Sequence, residues 1–255
     1  MFPVLYSFYG FDLYSYTVVI FFGVILASFY FVNISVKKKL MLEFLNDYLW
    51  LIILVSVFFA RIGGILEFFS IYKEDPVRII YLFDGKYNLY GGIFGFLFIF
   101  YVLTWIKKEN FWKWLDALSL PFLVIFIFKA MGEFFAGTHY GMPVNLPWAV
   151  SYNIPEVRYT IPVHPVQIYE AILLFLLIIY LRLFKGRKKI MFVSAYAFSG
   201  FFLIQFCLSF LRGVPVKMIY GFKITFLLSG LASAVAMIIL IIKTHPNINF
   251  FRHEN

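Results

Sequence analysis

The sequence predicts an all-α integral membrane protein: seven transmembrane helices, the N-terminus outside, the C-terminus cytoplasmic, and an ordered outer loop region between spans four and five. Three observations carry that prediction. The 255 residues are 63% hydrophobic and only 14% charged, with a mean hydropathy of +0.88, whereas soluble domains carry about 25% charged residues. Apolar stretches approaching the ~20 residues that a helix needs to cross a bilayer core recur seven times. Lysine and arginine collect on alternate connections between those stretches, the bias that orients membrane helices.

The spans are expected at 16–36, 48–69, 89–106, 114–135, 166–183, 190–211 and 224–242, as a single transmembrane domain over residues 1–255. Lys37, Lys38 and Lys39 follow the first, and Lys107, Lys108 and Lys113 the third. Arg182, Lys185, Arg187, Lys188 and Lys189 follow the fifth, and Lys243 and Arg252 the seventh. These connections are therefore assigned to the cytoplasm. On the opposite side, residues 136–164 form a long segment with Pro143, Pro147, Pro155 and Pro162 and with interleaved Trp148, Tyr152 and Tyr159, the composition of an ordered, working loop.

Other classes fall away quickly. The net charge of +9 is dispersed in short clusters between apolar runs, so no nucleic-acid partner is expected. No ten-residue alternation supports a membrane barrel. The single Cys207 cannot make an internal disulfide, and its apolar neighbours predict a buried, inert thiol. The first residues lack a basic start and a small-residue cleavage site, so the first span is expected to be retained as an anchor.

Ionisable residues inside a membrane cost a few kcal/mol each and mark functional candidates. Arg61, Glu67, Lys129, Glu133, Glu170 and Arg212 all fall in the outer halves of their spans, where they could form one wet, partly positive pocket. Lys129 and Glu133, four apart on one helix face, could equally neutralise each other. Arg61 and Arg212 could snorkel to headgroups or grip a phosphate through two parallel hydrogen bonds. Snorkelling suits Arg212 at its helix end, and an interior partner suits the deeper Arg61. At the outer end of span five, Pro165 favours the first helical turn and fixes His164 at the helix mouth, with Gln167 and Glu170 sharing a face. Gly91 and Gly92 open span three, for close helix contact or for approach of a substrate to the backbone.

Taken in order, Ala60-Arg61-Ile62-Gly63, Tyr90-Gly91-Gly92, the stretch from Gly132 to Gly141, Met142-Pro143-Val144-Asn145-Leu146-Pro147-Trp148 and His164-Pro165-Val166-Gln167-Ile168-Tyr169-Glu170 resemble the prolipoprotein diacylglyceryl transferase family. The family's seven spans with the N-terminus outside match the expected topology. The resemblance implies transfer of diacylglyceryl from phosphatidylglycerol to the lipobox cysteine thiol of prolipoproteins, at the outer leaflet of the bacterial inner membrane. No metal or other cofactor is expected. Partners would be phosphatidylglycerol or another anionic phospholipid, the prolipoprotein signal sequence, and other membrane proteins in an assembly.

Catalytic candidates are His164, Tyr90 and His139; a phenol with a pKa near 10 is a poor base at neutral pH, which ranks the histidines above Tyr90. Substrate-binding candidates are Arg61, Gly91, Gly92, Lys129, Glu133, Gly141, Gln167, Tyr169, Glu170, Gln205 and Arg212. The chain departs from the family pattern where chemistry is expected. Tyr90 stands at a position that is commonly His. The signature Arg-x-Gly-Asn becomes Ala130-Met131-Gly132-Glu133, and the Arg-Phe-x-x-Glu-x-x-Arg of span six reads Gln205-Phe206-Cys207-Leu208-Ser209-Phe210-Leu211-Arg212. Two readings follow: a rearranged transferase site, or a catalytically degenerate relative acting as a lipid-binding subunit or scaffold. A transporter would want charged or broken helices at the midplane, and none is evident there.

Overall fold

The computed structural model describes residues 4–8, 11–81, 85–152, 161–183, 191–213, 218–219, 222–223, 231 and 235. A short hairpin, β1 (Val4–Phe8) with β2 (Phe11–Tyr14), leads directly into α1 (Ser15–Lys37). Helix α2 (Leu42–Glu67) is followed by the short α3 (Phe69–Glu74) and a 3-10 turn at Pro76–Ile79. Then come α4 (Leu89–Ile106), α5 (Phe111–Ala136), α6 (Val166–Leu183) and α7 (Phe192–Ser209), and a two-residue hairpin of β3 (Met218–Ile219) and β4 (Phe222–Lys223).

Among the described residues, six helices are long and apolar enough to cross a membrane: α1, α2, α4, α5, α6 and α7. The protein is thus an all-α membrane protein with two small hairpins outside its helices. Of the seventh expected span only Leu231 and Val235 are described, both helical and exposed, and the rest lies outside the described residues. Spans three and five match the expected bounds. Helix α2 begins six residues early because Leu42, Phe44 and Leu45 continue its apolar run across Asp47. Cys207, expected to be buried, is exposed on α7; the polar residues Gln205 and Ser209 occupy the inward positions beside it.

Contacts divide the chain into two compact units, residues 1–38 with 115–255 and residues 39–114. In the second, α2 and α4 meet through glycine. A Cβ on Gly91 would lie 2.5 Å from the Phe59 carbonyl oxygen and 3.3 Å from the Ala60 Cα, so the helices approach backbone to backbone. Gly92 has ordinary room, with Ala60 Cβ at 3.4 Å.

In the first unit, α5, α6 and α7 enclose Leu123, Phe126, Leu174, Ile178, Leu181, Ala197 and Phe201. Phe126 and Phe201 meet edge to face at 4.6 Å between ring centroids, a geometry that adds to simple area burial. Gly23 of α1 faces Phe128 of α5, and Gly132 of α5 faces Tyr16, so small residues set the α1–α5 approach as well. Asp116 caps α7: its carboxylate accepts the N–H groups of Met191 and Ser194, each at 2.8 Å, and the Ser194 hydroxyl at 2.7 Å. An anion there satisfies amides that the helix leaves unpaired.

Gly91→Ala is expected to destabilise the protein by about 1–3 kcal/mol by forcing α2 from α4, and Gly92→Ala to leave it within about 0.5 kcal/mol. Thermal unfolding of the detergent-solubilised variants checks both.

Candidate functional site

The site in the first unit is assembled by the turn that ends α5. Gly137, at φ +69°, donates to the Phe134 carbonyl, and Thr138 donates to the Glu133 carbonyl at 3.0 Å, the paired bonds of a Schellman cap. The cap reverses the chain, and His139, also left-handed at φ +55°, is set back over the last turn. Its Nδ1 lies 3.0 Å from Glu133 Oε1, the same oxygen that pairs with Lys129 one turn earlier. The Glu133 side chain is 2% exposed, whereas that of His139 is 52% exposed.

The next residues form an extended rung between two other segments. Tyr140, Gly141 and Met142 bond on one side to Leu211 and Gly213, beyond α7, and on the other to His164, ahead of α6. Gly141 is required by that proximity. A Cβ there would stand 2.5 Å from the His164 Cβ and 2.6 Å from its carbonyl oxygen. Farther along, Val144 donates to the Pro162 carbonyl, and Val150 and Val163 exchange both bonds. Tyr140, Tyr152 and Val163 are buried together beneath this loop, and residues 153–160, with Tyr159, lie outside the described residues.

Pro165 precedes α6 and its carbonyl takes the first helical N–H groups, from Ile168 and Tyr169. His164 is thereby held at the helix mouth, its Nδ1 3.3 Å from the Tyr169 hydroxyl. Trp148 donates its indole N–H to that hydroxyl at 2.8 Å. In the first turn of α6, Gln167 donates to the Thr138 carbonyl at 2.6 Å, tying α6 to the α5 cap. Glu170, 1% exposed, accepts Gln205 Nε2 at one oxygen and Arg212 Nη2 at the other, both at 2.7 Å. Arg212 also donates to Gln205 Oε1 at 2.9 Å. Arg212 therefore pairs inward instead of snorkelling.

These contacts bring Lys129, Glu133, His139, Gly141, His164, Gln167, Tyr169, Glu170, Gln205 and Arg212 to one end of α5, α6 and α7. Arg61, Tyr90, Gly91 and Gly92 belong to the second unit. There Arg61, 5% exposed, donates to the carbonyls of Arg78, Ile79, Tyr81 and Lys86 at 2.8–3.3 Å, and its guanidinium lies over the Tyr72 and Tyr87 rings. It serves as the tie that holds the α2–α4 connection. Asn88 caps α4 by accepting the Gly91 N–H at 3.0 Å and donates to Glu67 at 2.8 Å. Tyr90 is partly buried on the first turn of α4.

The family model for prolipoprotein diacylglyceryl transferase matches residues 3–242. The chain belongs to the prolipoprotein diacylglyceryl transferase family. Proteins named phosphatidylglycerol–prolipoprotein diacylglyceryl transferase are similar to it. One from Halalkalibacterium halodurans is 26% identical over 182 residues, covering 69% of this chain and 63% of that relative. One from Protochlamydia amoebophila is 30% identical over 177 residues, covering 66% and 47%. One from Clostridioides difficile is 24% identical over 238 residues, covering 91% and 94%. The chain thus spans about half to two thirds of the length of the first two relatives.

Several neighbours of the family motifs were not among the sequence candidates. Tyr16 packs on Gly132 and lies in the electrostatic reach of Lys129 and Glu133. Trp148 enters through its bond to Tyr169. Gly137 carried a readable signal, a glycine directly after an apolar helical run. Tyr16 carried none, because a tyrosine at the start of a span reads as an interfacial anchor.

Arg212→Gln leaves Glu170 buried without its cation and is expected to cost about 3–5 kcal/mol, with Glu170→Gln added to it recovering part of the loss; unfolding of the two variants compares them. In the loop, burial pushes the Tyr152 phenol up to about 12, against an opposing contribution from Gln167. The folded form thus keeps a proton that the unfolded chain releases from about pH 10. The associated stability is present below pH 10 and is lost as the pH rises toward 12. Alkaline titration of phenolate absorbance should show a late component near pH 12 that is lost in Tyr152→Phe.

Proposed function

We propose that the chain transfers diacylglyceryl from phosphatidylglycerol to the lipobox cysteine thiol of prolipoproteins, at the outer leaflet of the bacterial inner membrane. Seven spans with the N-terminus outside belong to the same proposal, since they turn the His139–His164 end of the bundle toward that leaflet. Family membership supports the reaction class. The observation that carries the reading is the arrangement of a carboxylate-oriented histidine beside a cation network on three converging chain segments.

In the reaction a carbon–sulfur bond forms at the glyceryl carbon and the carbon–oxygen bond to phosphate breaks. The thiol proton needs an acceptor, and the departing glycerol phosphate needs cations and donors. Glu133 can only accept, so the proton on the His139–Glu133 contact sits on Nδ1 and the lone pair on Nε2. His139 is thus the proposed proton acceptor, with Glu133 fixing its tautomer. Lys129 offsets the charge of Glu133 and lets the carboxylate stay buried.

His164 faces a hydroxyl, which can donate as well as accept. We assign it, with Tyr169, to positioning the headgroup. Arg212, held in place by Glu170 and Gln205, supplies the cation for the phosphate, and Gln167 a further polar contact. Gly141 lets its rung close on His164; within the second unit Gly91 lets α4 close on α2, Gly92 lies beside Ala60, and Arg61 holds the α2–α4 connection.

The second reading, a catalytically degenerate lipid-binding subunit or scaffold, is favoured by one observation: Lys129 and Arg212 both have carboxylate partners within the protein. Purified protein given phosphatidylglycerol and a lipobox peptide decides between them. A thioether-linked product is expected, and His139→Ala should lower its rate by about 10²–10⁴. A smaller loss is expected for Glu133→Gln, which no longer enforces the tautomer. Full activity in His139→Ala with loss in His164→Ala would move the proton-transfer role to His164. Product at the background rate with lipid still bound favours the scaffold.

A further inference from the structure

The opposite ends of α5, α6 and α7 hold a second polar site that the transfer reaction does not use. Asp116 lies about 25 Å along α5 from Glu133, and Arg182 about 18 Å along α6 from Glu170, at about 1.5 Å per residue. A cavity of about 380 Å³ opens there, entirely within the first unit. Lys37 and Lys38 reach it from the end of α1 and Arg182 from the end of α6. Among the described residues its one carboxylate, Asp116, is already occupied by the α7 amides and the Ser194 hydroxyl, with Lys38 at 3.7 Å. The lining therefore stays cationic overall.

Arg182 is held at the rim by stacking over the Tyr30 ring, 5.2 Å from its centroid. Ile34, Leu120 and Val193 give the cavity an apolar wall. Compensation of helix C-termini explains why cations sit near the ends of α1 and α6, but not why they surround a hollow of ligand size.

We infer that this cavity binds a phosphate ester, gripped by Lys37 and Arg182, with the apolar wall suited to the start of the acyl chains of a phospholipid whose headgroup phosphate they hold. The site is separate from the proposed transfer chemistry and goes beyond it.

Lysine acetylation footprinting of the full chain in nanodiscs tests this. With phosphatidylglycerol added to phosphatidylcholine, Lys37 should be protected several-fold more than Lys108, an exposed lysine outside the cavity. Arg182→Gln should remove that excess while retaining peptide lipidation, which separates failure of this site from failure of the transferase reading. Soluble glycerol phosphate in pure phosphatidylcholine discs separates the sources. Equal protection there makes a free phosphate ester the ligand, and protection by the lipid alone assigns the headgroup. Equal labelling of Lys37 and Lys108 in every condition overturns the inference.

Discussion

A carboxylate buried among apolar helices has to be answered by donors, and the answer given to Glu170 organises this end of the protein. Its two oxygens take Gln205 and Arg212, which stand on α7 and just beyond it. Leaving either oxygen unmet would cost more than an ordinary hydrogen bond gains, because solvent is not there to replace the lost partner. The pairing therefore fixes where the chain leaves α7. The Leu211–Gly213 segment that it positions is the edge on which Tyr140–Met142 is laid, and that rung in turn sets His164.

The same requirement is met differently at each ionisable group. Glu133 is answered by Lys129 on its own helix and by His139 through a left-handed turn. Asp116 is answered by the exposed amides of a helix start, where an anion is favoured by the backbone dipoles. Arg61 is answered by carbonyls of the α2–α4 connection, so a cation organises a loop through backbone acceptors. In each case the charged side chain lies in a helix or just beyond one, and, Lys129 aside, the partners lie toward helix ends or in connections. The apolar helices supply bulk, and the charges decide how the connecting chain is threaded.

Much of the helical framework was legible in the sequence because transfer of the backbone into lipid demands long apolar runs, and those runs are visible in one dimension. Helices α4 and α6 begin and end where hydropathy places them. The roles of individual polar residues were less legible. Lys129 and Glu133 declared themselves by their spacing of four. Arg212 did not, because its partner Glu170 is 42 residues away and nothing in the local pattern selects it over the headgroup region. Asp116 was also passed over, since a carboxylate close to a span end reads as interfacial when the helix start that it caps is remote in sequence. The N-terminal hairpin lacks a turn signal strong enough to identify it, and Cys207 was misjudged because an apolar neighbourhood in a membrane helix describes the lipid-facing side as well as the interior.

The paired feet of the long connection between α5 and α6 give the architecture a particular freedom. Gly141–Pro143 and Val163–His164 are hydrogen-bonded to each other, so the stretch between them closes on a fixed base. Doubling the length of such a loop costs only about 0.6 kcal/mol in closure entropy. Insertions and deletions can accumulate in that stretch without displacing the histidine at its foot. The fold thereby separates a constant floor, built on the paired feet and His164, from a replaceable awning above it, and changes in the awning come at little thermodynamic expense.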